Sequence, residues 1–223
     1  MEDRISAGLW IELAQSEVGH YGSRAQLLMS HQGISSAWWG SNQKPNRIDL
    51  PRVLDEFSVL GVYEVGPEFA PPDVPAWVSG MHFMRTPRPG QGILTGAETT
   101  GILLVLISPK RPEAANSLRD WGDFVHIRHI VEAAVPGYSM ITPYESADTS
   151  DPRYMHLYEM DTTDPEATFK SMTPRVSSML GEPGTPNYDD WAWNKDLRIF
   201  YVNSFKRAGS IVSTEASRVP RGT

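Results

Sequence analysis

The sequence predicts an α+β fold made of two similar halves, each combining antiparallel strands with helices. The first observation is an unbroken apolar run at Ile102–Ile107, which has the length and composition of a buried strand. The second is that a helix-length polar segment and two further strand-like segments follow this run. The third is that the same order of landmarks occurs earlier in the chain, and 223 residues suffice for two such units.

The second half of the chain has the clearest pattern. The predicted elements are a strand at 102–107, a helix at 112–132, strands at 138–144 and 154–160, a helix at 165–179 and a strand at 197–205. The first helix ends at Val135-Pro136-Gly137, because Pro and Gly do not continue a helix. Polar residues 145–152 form the turn between the middle strands. This order is the split βαβ arrangement of a ferredoxin-like domain.

The first half is predicted to follow a similar order with shorter elements. These are a strand at 8–14, a short helix within 16–31, strands at 34–39 and 59–65, and a helix at 74–84. Gly33 ends the short helix. Pro and Gly dominate Thr86–Thr100, which we interpret as a linker between the halves with a short strand near Ile93-Leu94.

Landmark residues of the two halves correspond, although the identity between them is slight. Gly8-Leu9-Trp10-Ile11 matches Gly101-Ile102-Leu103-Leu104, and Tyr63-Glu64 matches Tyr158-Glu159. We therefore predict an internal repeat. The predicted parts are an N-terminal repeat at 1–92, a C-terminal repeat at 93–209 and a mobile polar tail at 210–223, whose Val219-Pro220-Arg221-Gly222 resembles a protease-tag scar.

Three motifs of the second half resemble those of a known family. They are Trp121-Gly122-Asp123-Phe124-Val125-His126, the turn Val135-Pro136-Gly137-Tyr138, and Arg153-Tyr154-Met155-His156-Leu157-Tyr158-Glu159-Met160. They resemble the dimeric α+β barrel superfamily, and most of all its EthD-like branch. In that superfamily two subunits pack their antiparallel sheets face to face into a barrel. The resemblance therefore implies that the two repeats form such a barrel within one chain. Val125 departs from the family pattern, which often has Glu beside its His.

Composition and charge disfavour several classes of function. The net charge of −7 and the absence of a basic run argue against nucleic-acid binding, and a chain without Cys has no disulfide, thiolate metal site or Cys nucleophile. We find no signal peptide, no stretch long enough to span a membrane, and no nucleotide-binding motif. The sequence thus predicts a cytoplasmic protein, as a monomer or homodimer, that acts on a small molecule without a cofactor.

His126 is the strongest candidate for a catalytic residue. Asp123 lies three residues before it on the predicted helix, where its carboxylate can accept a ring N–H. That contact would raise the imidazole pKa and leave the other nitrogen free to act as a base or acid. The alternative is a solvated surface pair, and the family resemblance favours catalysis. Tyr21 and Gly22 occupy the equivalent positions of the first half, so we infer that only the C-terminal repeat keeps the site residues.

His129 lies three residues after His126, so the two imidazoles could contact one ligand. Together with Asp123 they would supply two imidazoles and a carboxylate for iron or zinc. Successive i, i+3 positions drift by about 60° around the helix axis, however, which makes convergence on one ion awkward. We therefore predict no metal site and assign His129 to substrate binding or to a solvated surface.

His156 and Tyr158 are expected on the same face of a strand, because side chains alternate along it. If that face lines the barrel, they add polar groups to an apolar pocket as further catalytic residues. The residues assigned to substrate binding besides His129 are Trp121, Tyr63, Trp191 and Trp193. Core packing with a satisfied hydroxyl is the alternative for both tyrosines.

The aromatic residues before and in the last predicted strand are Tyr188, Trp191, Trp193 and Phe200. Such a density of rings either closes an aromatic pocket or packs the core. Asn187–Asp190 is expected to form a turn at the entrance of the pocket.

The favoured function is a cofactor-independent lyase or isomerase of the dehydratase or cyclase type, which moves a proton with His126. The family resemblance implies a hydrophobic, aromatic or polyketide-like substrate. Proton abstraction beside a carbonyl needs one base and a donor for the enolate oxygen, roles open to His126, with Asp123, and to Tyr158 or His156. The alternatives are a haem-binding protein or a cofactor-free monooxygenase of this fold, or a non-catalytic small-molecule-binding barrel.

Overall fold

The computed structural model describes residues 6–93 and 95–213, which form nine strands and five α-helices. The strands are β1 (Gly8–Ala14), β2 (Ile34–Asn42), β3 (Val59–Val65), β4 (Val78–Arg85), β5 (Gln91–Gly92), β6 (Gly101–Pro109), β7 (Tyr138–Ser146), β8 (Tyr154–Met160) and β9 (Leu197–Val212). The helices are α1 (Val18–Leu28), α2 (Ala115–Trp121), α3 (Arg128–Glu132), α4 (Pro165–Leu180) and α5 (Pro186–Ala192). A 3₁₀ turn (Pro112–Ala114) precedes α2, and a π-helical segment (Gly122–Ile127) joins α2 to α3.

Eight of these strands form a closed antiparallel barrel. Their order is β4-β1-β3-β2-β9-β6-β8-β7, and β7 pairs with β4 to close the ring. The short β5 pairs with the other end of the same edge of β7. The predicted fold, in which two ferredoxin-like repeats bring their antiparallel sheets together in one barrel within the chain, is confirmed.

Each half of the barrel has the strand order of a ferredoxin-like sheet. The N-terminal half runs β4-β1-β3-β2 and the C-terminal half β9-β6-β8-β7, which is the order fourth, first, third, second in both cases. The pairings β2–β9 and β4–β7 join the two halves. The N-terminal half has no helix between β3 and β4. The domain limits of 1–92 and 93–209 stay a prediction.

Alternation along the strands separates two layers of apolar side chains. In β6, Leu104 and Leu106 point into the barrel, whereas Leu103 points outwards to the helices. Large aliphatic and aromatic side chains from both repeats fill the barrel interior, among them Ile11, Leu60, Phe83, Leu157 and Phe205. Helix α1 covers the outer face of the N-terminal sheet, and the later helices cover that of the C-terminal sheet.

A glycine with a positive φ directly precedes each of the strands β2 and β7, where the sequence predicts that a helix has ended. Gly33 has φ of 83° and Gly137 has φ of 92°, a region that L side chains rarely adopt. A Cβ on Gly33 would also lie 2.8 Å from the backbone of Phe69. The chain can therefore turn from helix to strand at these positions.

The helix predicted at 74–84 is wrong, because Val78–Arg85 form strand β4. This strand pairs with β1 through Val78–Met84 and with β7 through Phe83–Arg85. A Cβ on Gly80 would lie 2.3 Å from the Trp10 ring, so a residue that weakens a helix permits close packing of a strand here. Tertiary pairing thus overrides the local pattern.

The turn predicted at Asn187–Asp190 is also wrong, because these residues lie in α5. Pro186 occupies the first position of that helix, where a proline is well tolerated. At the other end of the chain, β9 continues to Val212 and pairs with β2, so residues 210–212 belong to the barrel and not to a tail. Leu94 and residues 219–222, for which we made predictions, lie outside the described residues.

Candidate functional site

A cavity of about 300 Å³ lies between the outer face of the C-terminal sheet and the helices that cover it. We call it the outer cavity. Its lining includes Leu50, Pro51, Leu103, Val105, Trp121, His126, His156, Tyr158, Phe169, Met172, Thr173, Tyr188, Trp191, Trp193 and Val202. A small apolar cavity with a few polar groups is the usual form of a small-molecule site.

A site on the barrel-facing side of β8 was one expectation from the sequence, and the structure corrects that position. His156 and Tyr158 point outwards into the outer cavity, whereas Met155 and Leu157 fill the barrel. A second cavity of about 360 Å³ lies at one end of the barrel and contains none of the predicted site residues. The polar face of β8 therefore belongs to the space under the helices.

His126 reaches the outer cavity from the π-helical segment. Because a π turn bonds residue i to i+5 and holds about one residue more than an α turn, it changes which side chains share a face. The His126 ring lies parallel to the Trp191 ring, with an interplanar angle of 8° and centroids 5.3 Å apart, and its centroid is 5.1 Å from that of Trp121. Two indoles thus fix the orientation of the imidazole.

The hydrogen bond of His126 determines its tautomer. Its Nδ1–H donates to the backbone carbonyl oxygen of Trp191 at 3.0 Å, and the Trp191 indole N–H donates to the His126 carbonyl at 3.1 Å. The lone pair of the ring therefore lies on Nε2. The predicted hydrogen bond from His126 to Asp123 is wrong. Burial lowers the pKa of His126, so the predicted increase is wrong too, and the imidazole is neutral at pH 7.

Asp123 lies instead between Arg88 and His156. Its Oδ2 is 3.2 Å from an Arg88 amino nitrogen, and its Oδ1 is 3.7 Å from His156 Nε2. The side chain is almost fully buried, and burial raises the pKa of the carboxyl to about 6 although Arg88 opposes the shift. Asp123 therefore lies beside His156, outside hydrogen-bonding distance, and not beside His126.

His156 is a buried, neutral imidazole on β8. Burial, with a smaller contribution from His126, lowers the pKa of His156 to about 3. A Cβ on Gly122 would lie 3.0 Å from His156 Cε1, so the glycine leaves room for this ring under the π-helical segment. His156 can donate or accept a hydrogen bond at pH 7 but does not carry a charge.

The buried His156 leads to a prediction about stability and pH. The unfolded imidazole has a pKa near 6.5, so between about pH 6.5 and 3 the unfolded chain takes up a proton that the native chain does not. Stability due to this residue is therefore lost as the pH falls. We expect the unfolding free-energy difference between wild type and His156→Gln to shrink from pH 7 to pH 4.5, by at most about 1.4 kcal/mol per pH unit.

Urea unfolding at the two pH values measures this difference. His20→Gln, at an exposed position, controls for the loss of an imidazole. A difference for His156→Gln that stays constant or grows on acidification would contradict the burial of a neutral ring.

Tyr158 supplies a hydroxyl to the outer cavity. Burial, followed by the nearby Asp123, raises its pKa, so the phenol keeps its proton at pH 7. The side chain lines the outer cavity, and the Tyr138 ring packs 5.6 Å from the Tyr158 ring. The hydroxyl therefore lies where it can contact a ligand in this cavity.

The predicted aromatic residues form much of the cavity wall. Trp191 is buried, whereas Trp193 is 52% exposed and stands at the mouth. The Trp121 indole N–H donates to the Asp190 carbonyl at 2.7 Å, which ties the π-helical region to α5. Phe200 points into the barrel instead.

Two predicted substrate-binding residues lie away from the outer cavity. His129 lines an open surface groove on the other side of Trp121, and its Nδ1–H donates to the Val125 carbonyl at 2.7 Å. Tyr63 lies under α1 in the N-terminal half, where its hydroxyl is 2.8 Å from that of Tyr21. Both residues are therefore separated from the other candidates.

The equivalent space in the N-terminal half is filled by side chains. Glu12 accepts hydrogen bonds from the Tyr21 hydroxyl at 2.8 Å, Arg24 Nε at 2.7 Å and Trp10 Nε1 at 3.1 Å. Tyr21, which lies near the position predicted to correspond to His126, is fully buried in this cluster. The N-terminal half thus has a packed polar core where the C-terminal half has a cavity.

Sequence reasoning missed two groups that belong to the site. Leu50 and Pro51, from the first half, form part of the cavity wall, and no local pattern connects them with the other lining residues, which are 52 or more positions away along the chain. Arg88 and its ion pair with Asp123 were missed because residues 86–100 were interpreted as a linker. The only indication in the sequence that Arg88 belongs to the site was that it is a charged residue in a Pro-rich segment.

The described residues contain no group of three or more potential metal ligands of the His, Cys, Asp or Glu type. Within the same part of the chain, no helix has the length and apolar character needed to cross a membrane.

Comparisons with known proteins concern the fold. No protein-family model and no curated protein sequence matches the chain. A solved structure described as a major regulator of staphylococcal pathogenesis has a TM-score of 0.52 and 8% identity over 89% of this chain and 98% of that chain. An anthrone oxidase-like protein has a TM-score of 0.48 and 11% identity over 98% and 99%.

A mutant chlorite dismutase from Candidatus Nitrospira defluvii has a TM-score of 0.49 and 7% identity over 92% of this chain and 93% of that chain. At sequence identities this low, structural similarity is evidence for a shared fold alone. The closed ring of eight antiparallel strands, with helices on its outer side, gives this chain the fold of the α+β barrel proteins.

Proposed function

We propose that this protein is an enzyme that transfers protons on a hydrophobic, aromatic or polyketide-like small molecule in the outer cavity. The observation that carries the proposal is the state of His126. This imidazole is neutral, is held by Trp191 through Nδ1, and keeps its Nε2 lone pair in an aromatic cavity. A fixed, neutral imidazole in an apolar site is suited to act as a general base.

The proposed reaction begins beside a carbonyl group of the substrate. His126 Nε2 takes a proton from the adjacent carbon, and the electron pair of the C–H bond moves towards the carbonyl oxygen. The Tyr158 hydroxyl donates a hydrogen bond to that oxygen and stabilises the negative charge. The protonated His126 then returns its proton to another carbon, which isomerises the substrate, or to a departing hydroxyl, which completes an elimination. His156 serves as a second donor.

We further propose that the enzyme is a lyase or isomerase of the EthD-like branch. The motif Trp121–His126 and the strand Tyr154–Met160 support it, because both contribute to the cavity. The same enolate could react with molecular oxygen in a cofactor-free monooxygenase. Oxygen consumption during turnover separates the two outcomes.

Haem suits the outer cavity less well than a neutral ligand. His126 is the residue that would bind the haem iron through Nε2. Two buried propionates would need cationic partners, and the described residues that line the cavity include neither Lys nor Arg. The proposed chemistry therefore uses no haem, and a Soret band in the purified protein would contradict this part of the proposal.

Exchange of deuterium into a simple aromatic ketone tests the proposed proton transfer without knowledge of the natural substrate. Under anaerobic conditions in D₂O, the protein should accelerate exchange at the acidic CH₂ of 2-tetralone or anthrone, as followed by NMR. His126→Ala should abolish that acceleration. If the wild type and His126→Ala exchange the ketones at the same rate although both bind them, the proposal is wrong.

A further inference from the structure

Part of the outer cavity wall comes from the N-terminal half of the chain. Residues 43–57, which form all but the last residue of the connection from β2 to β3 and which we call the strap, cross to the C-terminal half. Leu50 and Pro51 at its centre line the cavity. The backbone N–H groups of Val53 and Leu54 both donate to the Phe200 carbonyl on β9, at 2.8 and 3.1 Å. The strap is therefore docked on the C-terminal sheet.

A buried arginine anchors the first part of the strap. Arg47 is 3% exposed and pairs with Glu166 in the first turn of α4. It also donates to Asp49 at 3.0 Å and to the Asn203 side-chain oxygen at 3.4 Å. A buried guanidinium requires such partners, so the contacts of Arg47 hold this part of the strap in one position.

A carboxylate anchors the second part. Glu56 Oε1 accepts hydrogen bonds from the Tyr201 hydroxyl at 3.1 Å and from the amide groups of Asn203 and Asn42 at 3.3 and 2.7 Å. Asn203 thus contacts both anchors. Because Arg47 and Glu56 flank Leu50, the wall formed by Leu50 is fixed from both sides.

The mouth of the cavity is framed by exposed residues from three segments, namely Pro51, Thr173 of α4 and Trp193 after α5. Leu50 lies just inside and is partly buried. A side chain at this position limits how far a ligand can extend from His126 towards the mouth.

We propose that Leu50 determines the size of the ligand that the outer cavity accepts, and that Arg47 positions it. This inference rests on the proposed function for the class of ligand, which is a neutral aromatic ketone. It also means that the C-terminal half does not form the whole site, since a wall comes from the other half. The N-terminal half is therefore a contributor to specificity as well as a structural partner.

Affinities of two ketones that differ by one ring test the role of Leu50. We suggest 1-tetralone, with two rings, and anthrone, with three, titrated anaerobically against the intrinsic tryptophan fluorescence of the full chain. Leu50→Trp should lower the affinity for anthrone relative to 1-tetralone by about tenfold or more, the scale on which apolar pockets select size. Leu50→Ala should change the ratio in the opposite direction.

Matched variants on the strap serve as controls. Ile48 is 93% exposed and Val53 is 50% exposed, and neither lines the cavity. Ile48→Trp and Val53→Ala should leave the ratio of affinities unchanged. Arg47→Met should lower the affinities for both ketones by the same factor. It should also speed amide hydrogen exchange at Val53 and Leu54, because the whole strap becomes more mobile.

The outcomes separate this inference from the proposed function. If the Leu50 variants change the ratio no more than the controls do, Leu50 does not determine size, whatever His126 does. If the ratio shifts but His126→Ala leaves deuterium exchange unchanged, the inference stands and the proposed acid–base function falls. If neither ketone binds the wild type, both are wrong. Should Leu50→Trp not fold, Leu50→Ala decides by itself.

Discussion

Replacing His126 with Ala is expected to lower the rate of ketone deuterium exchange by about two to four orders of magnitude, the usual contribution of a general base. The reason is that Nδ1–H of His126 donates to the Trp191 carbonyl, so Nε2 carries the lone pair that accepts the proton. Exchange rates of the purified variants, measured by NMR with circular dichroism as a check of folding, give the result.

His129→Ala is the matched control for this experiment. It removes a neighbouring imidazole that lines the surface groove and not the outer cavity, so its rate should stay within about twofold of wild type. Asp123→Asn should have an intermediate effect, because it removes a buried charge 3.7 Å from His156 and leaves His126 in place. Near-native exchange by His126→Ala would instead direct attention to His156 and Tyr158.

Replacing Glu12 with Ala is expected to destabilise the protein by about 3–5 kcal/mol, the range for removing one partner of a buried ion pair. Glu12 is fully buried, and its loss leaves the Arg24 guanidinium and the Tyr21 hydroxyl without their shared acceptor. Urea unfolding measures the change. Glu17→Ala, at an exposed position before α1, should change stability by less than about 0.5 kcal/mol.

A double variant separates loss of the pair from loss of packing. Glu12→Leu with Arg24→Leu removes both charges and fills part of their volume, so it should recover most of the stability. A Glu12→Ala effect below about 1 kcal/mol would mean that the cluster under α1 does not hold the N-terminal half together.

The barrel could be predicted from sequence because its strands have strong local patterns. Gly8–Ala14 and Gly101–Pro109 are nearly continuous apolar runs, and the matched Tyr63 and Tyr158 mark the third strand of each repeat. Strand β4 was predicted wrongly as a helix, because its conformation depends on pairing with β1, which is remote in sequence.

The residues of the site could be predicted better than their contacts. His126, His156, Tyr158 and Trp191 do share one cavity. The predicted Asp123–His126 contact assumed α-helical spacing, but the π-helical segment places Asp123 beside His156. The strap was missed because only the folded chain brings Leu50 to the helices of the other half.

A crystal structure of the protein with bound 2-tetralone tests the central claim most directly. The ketone should lie in the outer cavity, with its carbonyl oxygen within hydrogen-bonding distance of the Tyr158 hydroxyl and its acidic CH₂ beside His126 Nε2. A ketone bound in the cavity at the end of the barrel, beside Trp38 and Glu64, would contradict the assignment of the site.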